Sequence, residues 1–304
     1  MAFVSENKIS PNQFLIRENG YTIHIKREDL IHSEISGNKY RKLKYNVVEA
    51  QQRGFQTMLT FGGAFSNHLA AVAAMGRKTG MHTIGLVRGE EWEQTFHTNP
   101  TLQFCHENGM QLHFLNRSDY TQKETLPYVQ KILRKDPTIY LLPEGGTNDL
   151  AIKGCEEILT EADHTFDTIC CSVGTGGTLA GLIKAAHRDQ YILGFPALRN
   201  LELQSTLQKW VQKSQWELIN DYTFGGYAKV NTTLVQFLND FHKKFQIPLD
   251  PIYTGKMVFG IFDLIKKRQW QWGNNILIIH TGGVQGILGM NQRLLQKGMP
   301  TIAF

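Results

Sequence analysis

What the chain has little of narrows it first. Its four cysteines, Cys105, Cys155, Cys170 and Cys171, make neither a CxxC pair nor a zinc-ligand spacing. That excludes a disulfide framework and predicts reduced thiols and no metal site. No apolar run is long enough to cross a bilayer, and the polar start, Met1 to Asn12, has no apolar core of a secretory leader, so the expectation is a cytoplasmic protein with no membrane partner. Charge of one sign is scarce too: a net +5 over 304 residues, not gathered in an arm, gives no basis for a nucleic-acid partner. Internal repeats and low-complexity runs are absent.

What is present is ordinary globular material, 41% hydrophobic and 19% charged, enough for two lobes. Strand and helix patterns alternate. The reading gives a strand over Met58–Phe61, a helix over Asn67–Lys78 stopped by Gly80, and a strand over His82–Val87. A helix over Pro100–Glu107, a strand over Met110–Leu115, a helix over Leu126–Arg134 and a strand over Thr138–Leu142 follow. Beyond a loop at Pro143–Thr147 come a helix over Lys153–Leu159 and a strand over Thr168–Val173, where a second sheet is expected to begin. Cys170 and Cys171 should then face opposite sides of that strand. A helix around Glu202–Lys213, another after Gly255 and a strand over Ile276–Ile279 complete the reading. Such alternation predicts parallel sheets with helices on their faces.

The segment Ser36-Gly37-Asn38-Lys39-Tyr40-Arg41-Lys42-Leu43 sets one lysine among groups able to hold it still. A lysine amine carries chemistry by condensing with a carbonyl, and an aldehyde cofactor bearing a phosphate calls for glycine-rich loops to cradle the anion. The alternative is a solvated basic surface helix. Val173-Gly174-Thr175-Gly176-Gly177-Thr178 joins a strand to an apolar helix, so its N–H groups and two hydroxyls converge on one point. It is no Walker A loop and lacks the last glycine of G-x-G-x-x-G; a plain tight turn stays open. Gly62-Gly63-Ala64-Phe65-Ser66-Asn67-His68 is a second strand-to-helix turn, in which Ser66 and Asn67 also read as helix caps and His68 as a satisfied polar residue. His280-Thr281-Gly282-Gly283 puts the Thr281 hydroxyl at the carboxyl edge of a sheet, with His280 open to a packing role.

In this order, and together with Pro143-Glu144-Gly145-Gly146 and Asp250-Pro251-Ile252-Tyr253-Thr254-Gly255-Lys256, these segments resemble the D-cysteine desulfhydrase and 1-aminocyclopropane-1-carboxylate deaminase family. The resemblance spans Lys26 to Gly283. It implies an α/β fold of the tryptophan synthase β-like kind, fold type II among pyridoxal-phosphate enzymes, with two open parallel-sheet lobes and the cofactor, pyridoxal 5'-phosphate, in the cleft. The lobes are expected to be residues 1–49 with 151–304, the larger and cofactor-binding one, and an inserted 50–150. A homodimer is expected, and the weakest match lies around Phe195–Asn200.

By match, Lys39 corresponds to the lysine that carries the cofactor covalently and Asn67 to the amide bonded to its ring hydroxyl. Gly174, Thr175, Gly176, Gly177 and Thr178 correspond to the phosphate loop. Ser66 resembles the residue that handles the substrate carboxylate and a proton, and Tyr227 and Tyr253 resemble two active-site tyrosines; Thr281 would sit by the pyridine nitrogen. The ring-opening deaminases look to carry glutamate where this chain has Thr254. A carboxylate there would favour the protonated pyridine; two neutral hydroxyls, Thr254 and Thr281, leave it unprotonated and lean the chain towards β-elimination from a small amino acid, D-cysteine giving pyruvate, sulfide and ammonia. Lys39 would serve as base. Ring-opening to 2-oxobutanoate and ammonia, and a cofactor-binding homologue with little turnover, are the alternatives.

Overall fold

Two adjoining residues with positive φ, Asn19 and Gly20, turn the first strand back onto the second, because a tight turn of this type matches the twist of the strands it joins. The computed structural model describes residues 9–35 and 37–304. Ser36, which opens the lysine segment, and most of the polar start therefore lie outside the described residues. The hairpin is β1 (Asn12–Glu18) and β2 (Tyr21–Lys26), and α1 (Asn38–Gln52) follows.

The next elements are β3 (Thr57–Gly63), α2 (Asn67–Thr79), β4 (His82–Arg88), α3 (Pro100–Glu107), β5 (Met110–Leu115), α4 (Arg117–Gln122), α5 (Pro127–Lys135) and β6 (Ile139–Leu141). All but α4 lie within two residues of the ranges expected from sequence. Gly80 ends α2 in the left-handed conformation at φ 73°, which glycine adopts without steric cost. The four strands form a wholly parallel sheet in the order β5-β4-β3-β6. Along β3, Met58 faces one apolar core while Leu59 and Phe61 face another, as the period of two requires.

The rest of the chain forms α6 (Asp149–Glu156), β7 (Thr168–Val173), α7 (Gly177–Ala185), β8 (Tyr191–Pro196), α8 (Leu203–Gln208), β9 (Trp216–Leu218), α9 (Thr232–Phe245), α10 (Thr254–Lys266), β10 (Asn275–Ile279) and α11 (Gly286–Gln296). The larger sheet runs β1-β2-β10-β7-β8-β9, antiparallel only at the hairpin. It thus begins at the hairpin and not at Thr168, and β7 is an inner strand. Cys170 faces one core and Cys171 the other; all four cysteines are buried and unpaired. Two helices differ from their expected ranges. Asn148 caps α6 by accepting from Ala151 N at 2.9 Å, so the helix starts at Asp149 and not Lys153. The helix expected over Glu202–Lys213 stops at Gln208, and the chain goes on to the short edge strand β9. Among the described residues no helix is long and apolar enough to cross a membrane, and no cluster of metal-ligating side chains occurs.

A solvated basic face on α1 is contradicted. Arg41, Lys42 and Lys44 are all buried, because groups distant in sequence meet them, carboxylates for Arg41 and Lys44 and a carbonyl with two hydroxyls for Lys42. Glu28 accepts from Arg41 Nε at 3.0 Å and from NH2 at 2.9 Å, and Glu157 pairs with Lys44 at 2.7 Å and also accepts from the Tyr45 hydroxyl. Gly154 lets α6 lie against α1, since a Cβ there would run into the Arg41 carbonyl. Arg41→Met should leave the fully buried Glu28 carboxylate without its ion partner and cost about 3–5 kcal/mol of stability, read by urea unfolding. A loss below about 1 kcal/mol, typical of an exposed pair, would contradict the burial argument.

Candidate active site

Lys39 sits on the first turn of α1, and that turn is fastened from two directions. The Asn38 backbone N–H donates to the Thr281 carbonyl at 3.2 Å, and its side-chain amide donates to Thr178 Oγ1 at 2.8 Å. Gly37, at φ 60°, leaves room for this: a Cβ would collide with the Thr281 carbonyl. The lysine segment, the loop after β10 and the start of α7 therefore meet at one point.

One turn along α1, Lys42 occupies the same helix face. Its Nζ donates to the Gly145 carbonyl at 3.0 Å, to Thr147 Oγ1 at 2.8 Å and to Thr175 Oγ1 at 3.4 Å. Burial, and then the neighbouring Lys42 charge, pull the Lys39 amine down to about 7. Burial likewise lowers Lys42. An amine that is about half neutral near pH 7 is a competent nucleophile or base, which an ordinary surface lysine is not.

The loop Gly174–Thr178 turns into α7 with Gly176 as its N-cap, at φ 90° and with no side-chain cap. The first N–H groups of the helix are thus free of a capping side chain, and a Cβ on Gly177 would lie 2.8 Å from Thr147 and 3.3 Å from Lys42 Nζ. Helix N–H groups, the Thr147, Thr175 and Thr178 hydroxyls and a buried ammonium ring this cradle, a donor set that fits a phosphate. Sequence reasoning missed Lys42; its spacing of three from Lys39 on a helix was the available signal.

Ser66 caps α2 by accepting from Leu69 N at 3.2 Å, and Asn67 faces the loop after β10, accepting from Gln285 Nε2 at 2.9 Å. His68 departs from its expectation as a satisfied residue. Thr60 Oγ1 gives its proton to the Leu142 carbonyl at 2.9 Å, so at 2.8 Å it accepts from His68 Nε2. That leaves Nδ1 a buried acceptor without a donor. Burial first, then Lys39 and Lys42, hold the imidazole well below its usual range, so it is neutral. His280 takes the packing role: Nε2 donates to the Pro248 carbonyl at 2.7 Å and Nδ1 accepts from Gly282 N at 3.2 Å.

Thr281 Oγ1 lies 3.2 Å from Ser172 Oγ and 3.4 Å from Thr254 Oγ1, a buried group of three hydroxyls at the carboxyl edge of β7 and β10. Ser172 was not read from the sequence. Asp250 ties down the start of α10, accepting from Ile252 N and Tyr253 N at 2.9 and 2.7 Å and from Thr254 N at 2.8 Å. Tyr253 and Tyr227 meet edge to face with ring centroids 6.1 Å apart. Burial and then Tyr227 raise the Tyr253 phenol well above its usual range; burial raises Tyr227. Both phenols keep their protons at neutral pH.

These residues suit a phosphate-bearing aldehyde with an aromatic ring: a cradle for the anion, a low-pKa amine, an amide at Asn67 and neutral hydroxyls at Thr281. In the ligand-free protein, competitive acylation of Lys39 should show a midpoint near 7, and Lys42→Gln should move it upward by removing a like charge. A midpoint near 10, that of an exposed lysine, would refute the burial account.

Comparison with known proteins agrees with this geometry. A Thermotoga maritima protein provisionally named a 1-aminocyclopropane-1-carboxylate deaminase is 31% identical over 313 residues, covering 95% of this chain and 98% of that one. A Serratia proteamaculans protein named D-cysteine desulfhydrase is 24% identical and covers 90% of each. The crystal structure of an ACC deaminase homologue superposes with a TM-score of 0.85 at 29% identity, over 95% of this chain and 94% of that one. The sequence pattern of one family matches residues 9–282, and with the cradle and the amine already in place the chain belongs to that family, the pyridoxal-phosphate dependent enzymes.

Proposed function

We propose that this enzyme eliminates the β-substituent of a small amino acid, with D-cysteine as substrate and pyruvate, sulfide and ammonia as products. Pyridoxal phosphate, when bound, supplies an aldehyde for the substrate amine and an electron-accepting ring. Lys42, Thr175, Thr178 and the first N–H groups of α7 would hold its phosphate, Asn67 its ring hydroxyl and Thr281 its ring nitrogen. Lys39 moves the α-proton at Nζ, for which its low pKa suits it. Ser66 holds the substrate carboxylate at the head of α2, and Tyr227 and Tyr253, both protonated, flank the opposite side and orient the leaving group.

The observation that carries the choice of reaction is the hydroxyl group of three. Thr281 Oγ1 lies 3.2 Å from Ser172 Oγ and 3.4 Å from Thr254 Oγ1, and Asp250, four residues before Thr254, spends its carboxylate on three backbone N–H groups. Neutral hydroxyls do not favour a protonated ring nitrogen as a carboxylate would, and an elimination, whose electrons leave with the β-substituent, needs that protonation less. Ring-opening deamination is the second reading, supported by the name of the Thermotoga maritima relative.

The same reading takes residues 1–49 with 151–304 as the cofactor-holding lobe and 50–150 as the inserted one, in a homodimer. Four buried free thiols support a reducing, cytoplasmic setting.

Lys39→Ala should lower sulfide release from D-cysteine by about 100-fold or more, followed as pyruvate and sulfide together; a normal rate in that variant overturns the role. Side by side, D-cysteine should turn over and 1-aminocyclopropane-1-carboxylate should give little 2-oxobutanoate. The reverse order would install the second reading.

A further inference from the structure

Lys256 stands on the third residue of α10, where a cation opposes the helix dipole, and it is among the largest fully buried side chains. Burying an ammonium there is costly unless something specific requires it. Its partners are backbone carbonyls: Thr223 O and Gly226 O, each at 2.8 Å, and Ala197 O at 3.4 Å. Two of the three belong to the loop that ends in Tyr227. Within the loop, Gly226 N–H donates to the Thr223 carbonyl at 3.0 Å and Lys229 N–H to the Gly226 carbonyl at 3.2 Å, but φ is positive at Phe224 (53°), Gly225 (88°), Gly226 (122°) and Ala228 (54°), and a left-handed conformation at the two non-glycine residues carries a steric cost. Two further contacts seat its start on the same helix: Tyr222 OH donates to Asp263 Oδ2 at 2.8 Å, and Phe224 packs edge to face on Phe259 at 5.1 Å. Neither reaches Gly226, the residue next to the tyrosine.

We infer that Lys256 is a positioning residue, whose ammonium gathers the Thr223 and Gly226 carbonyls and so sets Tyr227 against Tyr253. The inference rests on the reading in which those two tyrosines act on the substrate. The helix α10, capped by Tyr253, thereby carries both phenols, one directly and one through two carbonyls. Burial pulls the Lys256 amine down to about 8, with Asp250 acting in the opposite direction, so the ammonium is still the main form at neutral pH. Lysine suits the task better than a neutral donor, since hydrogen bonds from a charged group are about twice as strong.

The test uses the whole chain. By hydrogen exchange on the ligand-free protein, Lys256→Met should speed exchange of the amides at 224–228 by about tenfold or more, the loss expected for hydrogen bonds to a charged group. Exchange in α11 should stay unchanged. In the loaded enzyme the same substitution should lower kcat with the affinity for pyridoxal phosphate intact, and should lower it no further in a Tyr227→Phe background. Lys256→Arg, which keeps the charge, should restore part of the loop protection. If Lys256→Met fails to accumulate, Lys256→Gln gives the same readout. Unchanged exchange at 224–228, or rate effects of Lys256→Met and Tyr227→Phe that multiply, would overturn the inference. Full turnover by Tyr227→Phe alone would sink the functional reading, and the exchange result on the ligand-free chain would still stand.

Discussion

The first turn of α1 is the point on which the rest of the site depends. Asn38 holds it to the Thr281 carbonyl and the Thr178 hydroxyl, while Lys42 reaches from the same helix to the Gly145 carbonyl and the Thr147 and Thr175 hydroxyls. One helix end thus joins the loops after β6, β7 and β10. Each of those loops sits at the carboxyl end of a parallel strand, where an open α/β sheet offers its ligand site. Lys39 inherits its position from these contacts, and its low pKa from the burial and the neighbouring cation that come with them.

The electrostatics around that point are arranged in layers. Ion pairs lie behind the helix: Glu28 with Arg41 and Glu157 with Lys44 neutralise charges that would otherwise be intolerable in the interior. Among the described residues, the cradle side carries an ammonium without a carboxylate within ion-pair distance, a donor set that suits an anion. The opposite side holds hydroxyls and protonated phenols, with the Asp250 carboxylate taken up by backbone N–H groups. A neutral imidazole at His68, with one buried acceptor left over, lies between them near Lys39 and Lys42. The same economy recurs at Lys256, which answers to carbonyls instead of a carboxylate and therefore shapes a loop without adding a counter-charge to the site.

Much of this could be read along the chain. The strands and helices between residues 57 and 142, apart from α4, emerged because each strand shows either period-two alternation or a short apolar run between turn residues, and two of the helices stop near a glycine, Gly80 or Gly109. The glycine loops were visible as turns because positive φ selects glycine. The Asn19-Gly20 turn that joins β1 and β2 was a local signal too, but the strands it connects were not recognised. The region from Leu201 to Asp240 was illegible for a different reason: β9 has three residues and is defined by pairing with β8, so nothing within it announces a strand. Asn231, which caps α9 by accepting from Leu234 N at 2.9 Å, was the missed mark of the helix there.

The sequence by itself determined the kind of elements, the glycine positions where backbone could bend towards an anion, and the choice of threonine at 254 and 281, because these are properties of single residues and their near neighbours. Only the tertiary structure decided that the basic face of α1 is buried, that Lys42 reaches the loops after β6 and β7, that Ser172 joins the two threonines and that Lys256 answers to the tyrosine loop. Each of these depends on a partner that folding brings close: Glu28 and Glu157 for the basic face, Gly145 and Thr175 for Lys42, Thr281 for Ser172, and the Thr223 and Gly226 carbonyls for Lys256. Whether a charge faces water or an interior partner is set by distances through space, and most of those partners lie tens of residues away along the chain.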